Sequence, residues 1–89
     1  MEMELTGRAL WNEFKHAVEN SVYVDATGKT KVGEPANRVA RKMDVSHMTV
    51  YNILNDPTKG VSDRVAAKMR AYVRDFYCQR EALTPGGAR

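Results

Sequence analysis

The second half of the chain carries apolar residues at helical spacing in three short runs, each opened or closed by a residue that helices use as punctuation. Glu34-Pro35 comes first, because proline suits the first turn of a helix and biases the residue before it away from helical geometry. A helix is expected from about Ala36 to Met43, with Val39, Ala40 and Met43 inward. After Asp44 and Val45, Ser46 stands as the N-cap of a second helix reaching about Asn55, with Val50, Ile53 and Leu54 inward. Asp56 to Gly60 reads as a loop on its turn residues. Ser62 then caps a longer helix to about Arg80, in which Val65, Met69, Val73 and Phe76 recur at spacings of four, four and three. With Val39, Val50 and Ile53 these residues are the expected core.

The first half follows a different plan. Leu10, Phe14 and Val18 recur every four residues, Trp11 and Ala17 widen the stripe, and Glu13, Lys15 and Glu19 fall on other faces, as in an amphipathic helix. Thr6 is its expected cap and Asn20-Ser21 its stop. Residues 21–25 and 29–33 place β-branched and aromatic side chains on either side of a glycine-containing turn, which predicts a short β-hairpin. A lone two-stranded hairpin is marginal in water, so it must pack on the helices or pair with a second copy of itself. Residues 81–89, with Pro85-Gly86-Gly87, read as a flexible tail.

A chain of 89 residues buries too little surface for two independent cores, so one small domain is expected. Its 43% hydrophobic and 28% charged residues are those of an ordinary globular protein, with no apolar run fit to span a bilayer and no secretory leader. The single Cys78 forms neither an internal disulfide nor a four-ligand zinc site, which makes a reducing cytoplasm the expected location. Cys78 reads as a packing residue at a helix end, and His16 lacks companions for a metal set. No nucleophile, base and stabiliser stand in a defensible spacing, so an enzyme is not expected. The net charge of +3 is segregated. Residues 1–35 hold four basic and six acidic side chains, a net of −2, and residues 36–80 hold nine and four, a net of +5. The second half is therefore the part expected to face an anionic partner.

Two short helices joined by a tight turn, the second opening on a capping serine, are the mark of a helix-turn-helix unit. The string from Val39-Ala40 through Val45-Ser46-His47-Met48-Thr49-Val50-Tyr51-Asn52-Ile53-Leu54-Asn55 resembles the DNA-binding headpiece of the lactose-repressor family of bacterial transcription factors. The shared pattern is V-A, then V-S-x-x-T-V-x-x-I/V-L-N, and the resemblance continues past Val61-Ser62 to cover residues 36–77, about half the chain. It implies a mainly α fold, a three-helix helix-turn-helix domain, here preceded by an amphipathic helix and a short β-hairpin. Three departures stand out. Asp44 occupies the turn position where the family usually has glycine at positive φ, a conformation aspartate tolerates. The loop from Asn55 to Val61 is one residue longer, and the chain after Phe76-Tyr77 resembles neither the family's minor-groove hinge nor an effector domain. Small-molecule induction and a cofactor are accordingly not expected.

With Val50, Ile53 and Leu54 inward, the second helix must turn His47, Met48, Tyr51, Asn52 and Asn55 outward. His47, Met48 and Asn52 match the family's base-reading positions, and Tyr51 joins them on that face. Asparagine can bridge N6 and N7 of adenine, histidine can donate to guanine, and methionine can touch a thymine methyl. By the same resemblance Ser46, Thr49 and Asn55 match phosphate-contact positions. Arg38, Arg41, Lys59 and Arg64 are expected to add phosphate attraction, while Lys68, Arg70 and Arg74 are expected to be solvated. Residues 35–80 thus form the expected DNA-binding unit. For residues 1–34 two uses are open, completion of the core or a dimerisation arm, and Trp11, Phe14, Val18, Val22, Tyr23 and Val24 are taken as the dimer interface because such readers usually bind two half-sites. Lys29 and Lys31 could alternatively touch DNA as a wing. The resulting expectation is a cytoplasmic, nucleoid-associated, dimeric repressor of phage or mobile-element type, acting on a palindromic double-stranded operator without membrane or effector. The alternatives are a recombination accessory factor of the excisionase kind and a protein-interaction module such as an antirepressor.

Overall fold

The computed structural model describes residues 6–58 and 60–83, with side chains to residue 79. Four helices and one antiparallel hairpin follow in the order α1 (Gly7–Asn20), β1 (Val22–Val24), β2 (Thr30–Val32), α2 (Ala36–Met43), α3 (His47–Asn55) and α4 (Asp63–Leu83). The fold is mainly helical, as the periodicity predicts. Helix α4 continues to Leu83, three residues past the expected Arg80, so part of the stretch read as a tail is helical. Residues 84–89 of that tail, and Lys59, lie outside the described residues.

Each helix owes its ends to local chemistry. At the close of α1 the Ser21 hydroxyl donates to the Ala17 carbonyl at 2.7 Å and the Glu34 amide to the Val18 carbonyl at 2.9 Å, which satisfies two of the four carbonyls a helix leaves open, and the Asn20 side-chain amide adds a bond to the His16 carbonyl at 2.8 Å. Thr6 occupies the N-cap position of α1, but its side chain makes no capping bond. Ser62 caps α4 by accepting from the Val65 amide at 3.2 Å. Asp44 ends α2 in the left-handed conformation, φ 60 and ψ 48, as its place in the turn leads one to expect.

The core is built from all four helices. Leu10, Phe14, Ala17 and Val18 of α1, Val39, Ala40 and Met43 of α2, Val50 and Ile53 of α3, and Met69, Tyr72, Val73 and Phe76 of α4 are all buried. Val65 and Leu54 pack against them half-buried. This corrects the dimer-interface reading for the first helix. Phe14 is 0% exposed and Val18 is also buried, so both are consumed inside one chain and neither can meet a partner. Trp11 is half-buried, and its indole N–H donates to the Ile53 carbonyl of α3 at 2.6 Å. The underlying reason is size: three short helices alone lack the apolar surface to offset their ordering entropy, and α1 supplies it. Cys78 is exposed and does not pack at a helix end as expected.

At the centre of the chain lies a buried carboxylate. The Glu34 side chain is 0% exposed. Its backbone N–H donates to the Val18 carbonyl at 2.9 Å, one carboxylate oxygen accepts from the Tyr72 hydroxyl at 2.5 Å, and the other pairs with Lys42 Nζ at 2.9 Å and more loosely with Arg38 at 3.6 Å. Ser21 Oγ lies 3.1 Å from the same Tyr72 hydroxyl, and the Tyr72 ring meets Phe14 edge to face at 5.4 Å. Residues of α2 and α4 therefore converge on one acidic group, while Val18 of α1 holds its backbone and Ser21 backs the Tyr72 hydroxyl. Burial, and then the bond to Glu34, hold the Tyr72 phenol well above its ordinary ionisation range.

Tyr72→Phe leaves one Glu34 oxygen buried without its donor and is expected to cost about 1–3 kcal/mol in denaturant unfolding. The unfolded phenol ionises near pH 10 while the folded one stays protonated, so the stability due to Tyr72 is complete below pH 10 and lost as pH rises beyond it. The gap between wild type and Tyr72→Phe is therefore expected to narrow in unfolding curves taken above about pH 10.

Candidate nucleic-acid interface

Helix α3 is fixed at both ends and along one side. At its start Ser46 Oγ accepts from the Thr49 amide at 3.1 Å, and along its inner side Val50 and Ile53 are buried. At its end the Trp11 indole takes the Ile53 carbonyl, joined by the Asp56 amide at 3.4 Å. The turn before it is equally constrained. The Val45 amide donates to the Ala40 carbonyl at 3.0 Å, the Asp44 amide to the Arg41 carbonyl at 3.3 Å, and Lys68 of α4 donates its ammonium to the Met43 carbonyl at 3.0 Å. Lys68 therefore closes the C-terminus of α2, where a cation is favoured, and is not the solvated lysine expected.

What α3 turns outward is a single stripe. His47, Met48, Tyr51, Asn52 and Asn55 are all exposed, Met48 at 56% and Tyr51 at 52%, and they fall at the i, i+1, i+4, i+5, i+8 positions of one face. The His47 and Tyr51 rings lie 6.4 Å apart. No acidic residue occurs between His47 and Asn55, so nothing on this helix repels an anion. The four expected base-reading residues are thus brought together on one surface.

The expected phosphate-contact set is less uniform. The Ser46 and Thr49 hydroxyls lie 2.8 Å apart and Ser46 already serves as the cap, so both are engaged in starting the helix. The Asn55 amide donates back to the Tyr51 carbonyl at 2.9 Å. Arg38 pairs with Glu34 and lies 4.8 Å over the Tyr23 ring, which makes it a tie between α2 and the hairpin. Arg41 and Arg64 are exposed, and their side chains make no hydrogen bond or ion pair among the described residues. Lys59 lies outside the described residues.

Two residues that position this surface escape the apolar periodicity. Glu34 reads only as punctuation before Pro35, although Glu34, Arg38 and Lys42 at successive spacings of four could have revealed a charged stripe on α2. Tyr72 sits among Met69, Val73 and Phe76 on the inner face of α4, where its hydroxyl signals a buried polar partner. A cavity of about 470 Å³ beside this network is lined by Ser21, Lys42, Asp44, Tyr72, Asp75 and Gln79 among others. Among the described residues no cluster of His, Cys, Asp and Glu could hold a metal, and no helix is long and apolar enough to cross a membrane. Comparison with protein-family models, curated proteins and solved structures finds no match to this chain.

Because Ser46 acts on the helix itself, Ser46→Ala is expected to cost about 1 kcal/mol of stability in urea unfolding with no DNA present. A residue serving only as a phosphate contact would leave that midpoint unchanged.

Proposed function

We propose that this protein is a sequence-specific DNA-binding regulator that lays the outward face of α3 in the major groove and represses by occupying its operator as a homodimer. The observation that carries this reading is the acid-free, exposed stripe of His47, Met48, Tyr51 and Asn52 on a helix held rigid by its cap, its core contacts and Trp11. Its side chains suit base edges: an amide for adenine, an imidazole donor for guanine, a thioether for the thymine methyl. The likeness of residues 39–55 to the lactose-repressor headpiece supports the same reading, as does the net +5 of residues 36–80. Arg41 and Arg64 carry the phosphate attraction, and Ser46 and Thr49 act chiefly by organising the helix start.

A protein-interaction module is the second reading, favoured by the exposed valines of the hairpin. Selection from randomised duplexes, followed by binding titrations over a range of salt, separates the two. Asn52→Ala is expected to relax preference at one base pair and to cost roughly 1–3 kcal/mol on the selected site. Arg41→Ala is expected to weaken all sequences alike and lower the salt slope by about one unit. Equal losses on every sequence from Asn52→Ala would remove α3 as the reader, and negligible affinity for any duplex at low salt would hand the lead to the interaction module.

A further inference from the structure

The net −2 of residues 1–35 conceals a local sorting of charge. On α1, Arg8, Trp11 and Lys15 follow one another at spacings of three and four, and the Arg8 guanidinium and Lys15 ammonium both lie over the Trp11 ring, 5.6 Å and 5.3 Å from its centroid. The same ring donates its N–H to the Ile53 carbonyl, so both cations are held beside the last turn of α3. The acids of α1 are engaged: Glu13 accepts from the Tyr77 hydroxyl of α4 at 2.7 Å, and Glu19 pairs with Lys15 at 3.6 Å. Arg8 is exposed, and among the described residues its side chain makes no hydrogen bond or ion pair, so its five donors are open. It also lines a groove of about 450 Å³ between α1 and the segment after α3, together with Trp11, Ile53, Thr58 and Arg70. Among the described residues the one acid on this groove is Asp63, in the first turn of α4, where the helix dipole offsets its charge.

The other basic element of the first half, the hairpin tip, is closed to an anion. Asp25 Oδ1 accepts from the Thr27 amide at 2.9 Å, the Thr27 hydroxyl at 2.6 Å and the Lys29 amide at 3.0 Å, and Asp25 Oδ2 pairs with Lys31 at 3.4 Å. The tip therefore carries its own acid and Lys31 is already paired. In the register Val22 lies opposite Val32, Tyr23 opposite Lys31 and Val24 opposite Thr30. Tyr23 is half-buried beneath Arg38, and the exposed Val22, Val24 and Val32 form an uncharged outer face that offers a phosphate nothing.

We infer that α1 is a second backbone-contacting element of the DNA-binding surface, in which Arg8, seated on the Trp11 ring, takes a phosphate of the strand that borders the end of α3. The inference deepens the proposed function and rests on it for duplex DNA as the partner. Length places the contact. The nine residues of α3 rise about 14 Å while the major groove is about 12 Å wide, so a helix of this length crossing the groove brings the groups at its ends against the phosphate walls. Arg8, over the ring that holds the Ile53 carbonyl, stands at the C-terminal one of those ends. A guanidinium suits the place, because its planar fork can bridge two phosphate oxygens while its face rests on the indole. Lys15, partly neutralised by Glu19, contributes less. Trp11 thus has two uses: it fixes the end of the reading helix and seats the cation that meets the backbone there, which keeps base and phosphate contacts in one register.

Binding titrations of the full chain over a range of salt, on the selected duplex and on a scrambled one, test this together with phosphate-ethylation interference. Arg8→Gln is expected to weaken both duplexes several-fold and alike, and to lower the slope of log affinity against log salt by about one unit. It is also expected to abolish interference at one phosphate per bound copy, with base preference and the urea midpoint nearly unchanged. Arg8→Lys, which keeps the charge, is expected to restore most of the slope. A wild type that binds its selected duplex, with slope and interference pattern indifferent to Arg8→Gln, overturns the inference while leaving α3 as the reader. Losses from both Arg8→Gln and Arg8→Lys that follow a lowered urea midpoint overturn it as well, because Arg8 would then serve the fold alone. Negligible affinity of the wild type for every duplex at low salt removes the proposed function and the inference with it.

Discussion

Everything in this fold is arranged around the cost of burying one carboxylate. A charged group taken out of water must be paired and hydrogen-bonded or it destabilises the state that buries it. Glu34 meets that condition only when α2 and α4 are both in place, because Lys42 and Arg38 of the one and Tyr72 of the other reach its carboxylate, while α1 holds only its backbone through the Val18 carbonyl. The interaction is more a source of specificity than of gross stability. Misplacing α4 along α2 would leave Tyr72 and Glu34 unsatisfied together, so alternative packings of the same apolar stripes are disfavoured. Lys42 keeps its ammonium partly in water, which lowers the desolvation cost of the pair.

Around that centre the molecule separates what it uses to fold from what it presents. Trp11 and Phe14 look alike as large aromatic residues in the first helix, but one spends its indole N–H on the end of α3 and the other disappears into the core. Arg38 and Arg41 lie one turn apart on α2, yet the first ties the hairpin to the body and the second faces solvent. Helix α3 gains its fixed orientation from these borrowed contacts. An exposed stripe keeps its side chains in register only on a rigid support, and here the support comes from residues far away in sequence.

The helices were legible because their boundaries are local events. Pro35, Ser46 and Ser62 mark starts within a residue, and the left-handed Asp44 follows from what the turn demands. The outward set on α3 followed from the inward positions of Val50 and Ile53. What periodicity could not supply was any contact joining distant segments through polar atoms. The Trp11 bond to Ile53 spans 42 residues and the Tyr72 bond to Glu34 spans 38, and neither has a spacing to betray it. For the same reason Ser46, Thr49 and Asn55 suited phosphate contacts by resemblance and Arg38 by its charge, while geometry shows each already engaged within the chain. The first helix was ambiguous because an amphipathic stripe states that it must be covered without stating by what.

The clamp of Asp25 on Thr27 and Lys29 gives the hairpin tip an unusual intolerance of length. Exposed turns generally accept an inserted or deleted residue, because nothing downstream depends on their phase. In a strand the phase is two residues, so one residue gained or lost at this tip would rotate β2 by half a turn relative to β1 and divide its side chains between the wrong faces. Val32 would then point at the body and Lys31 outward. Chains of this kind should vary freely in the identity of residue 26, keep a hydroxyl at residue 27, and hardly vary at all in the number of residues at the tip.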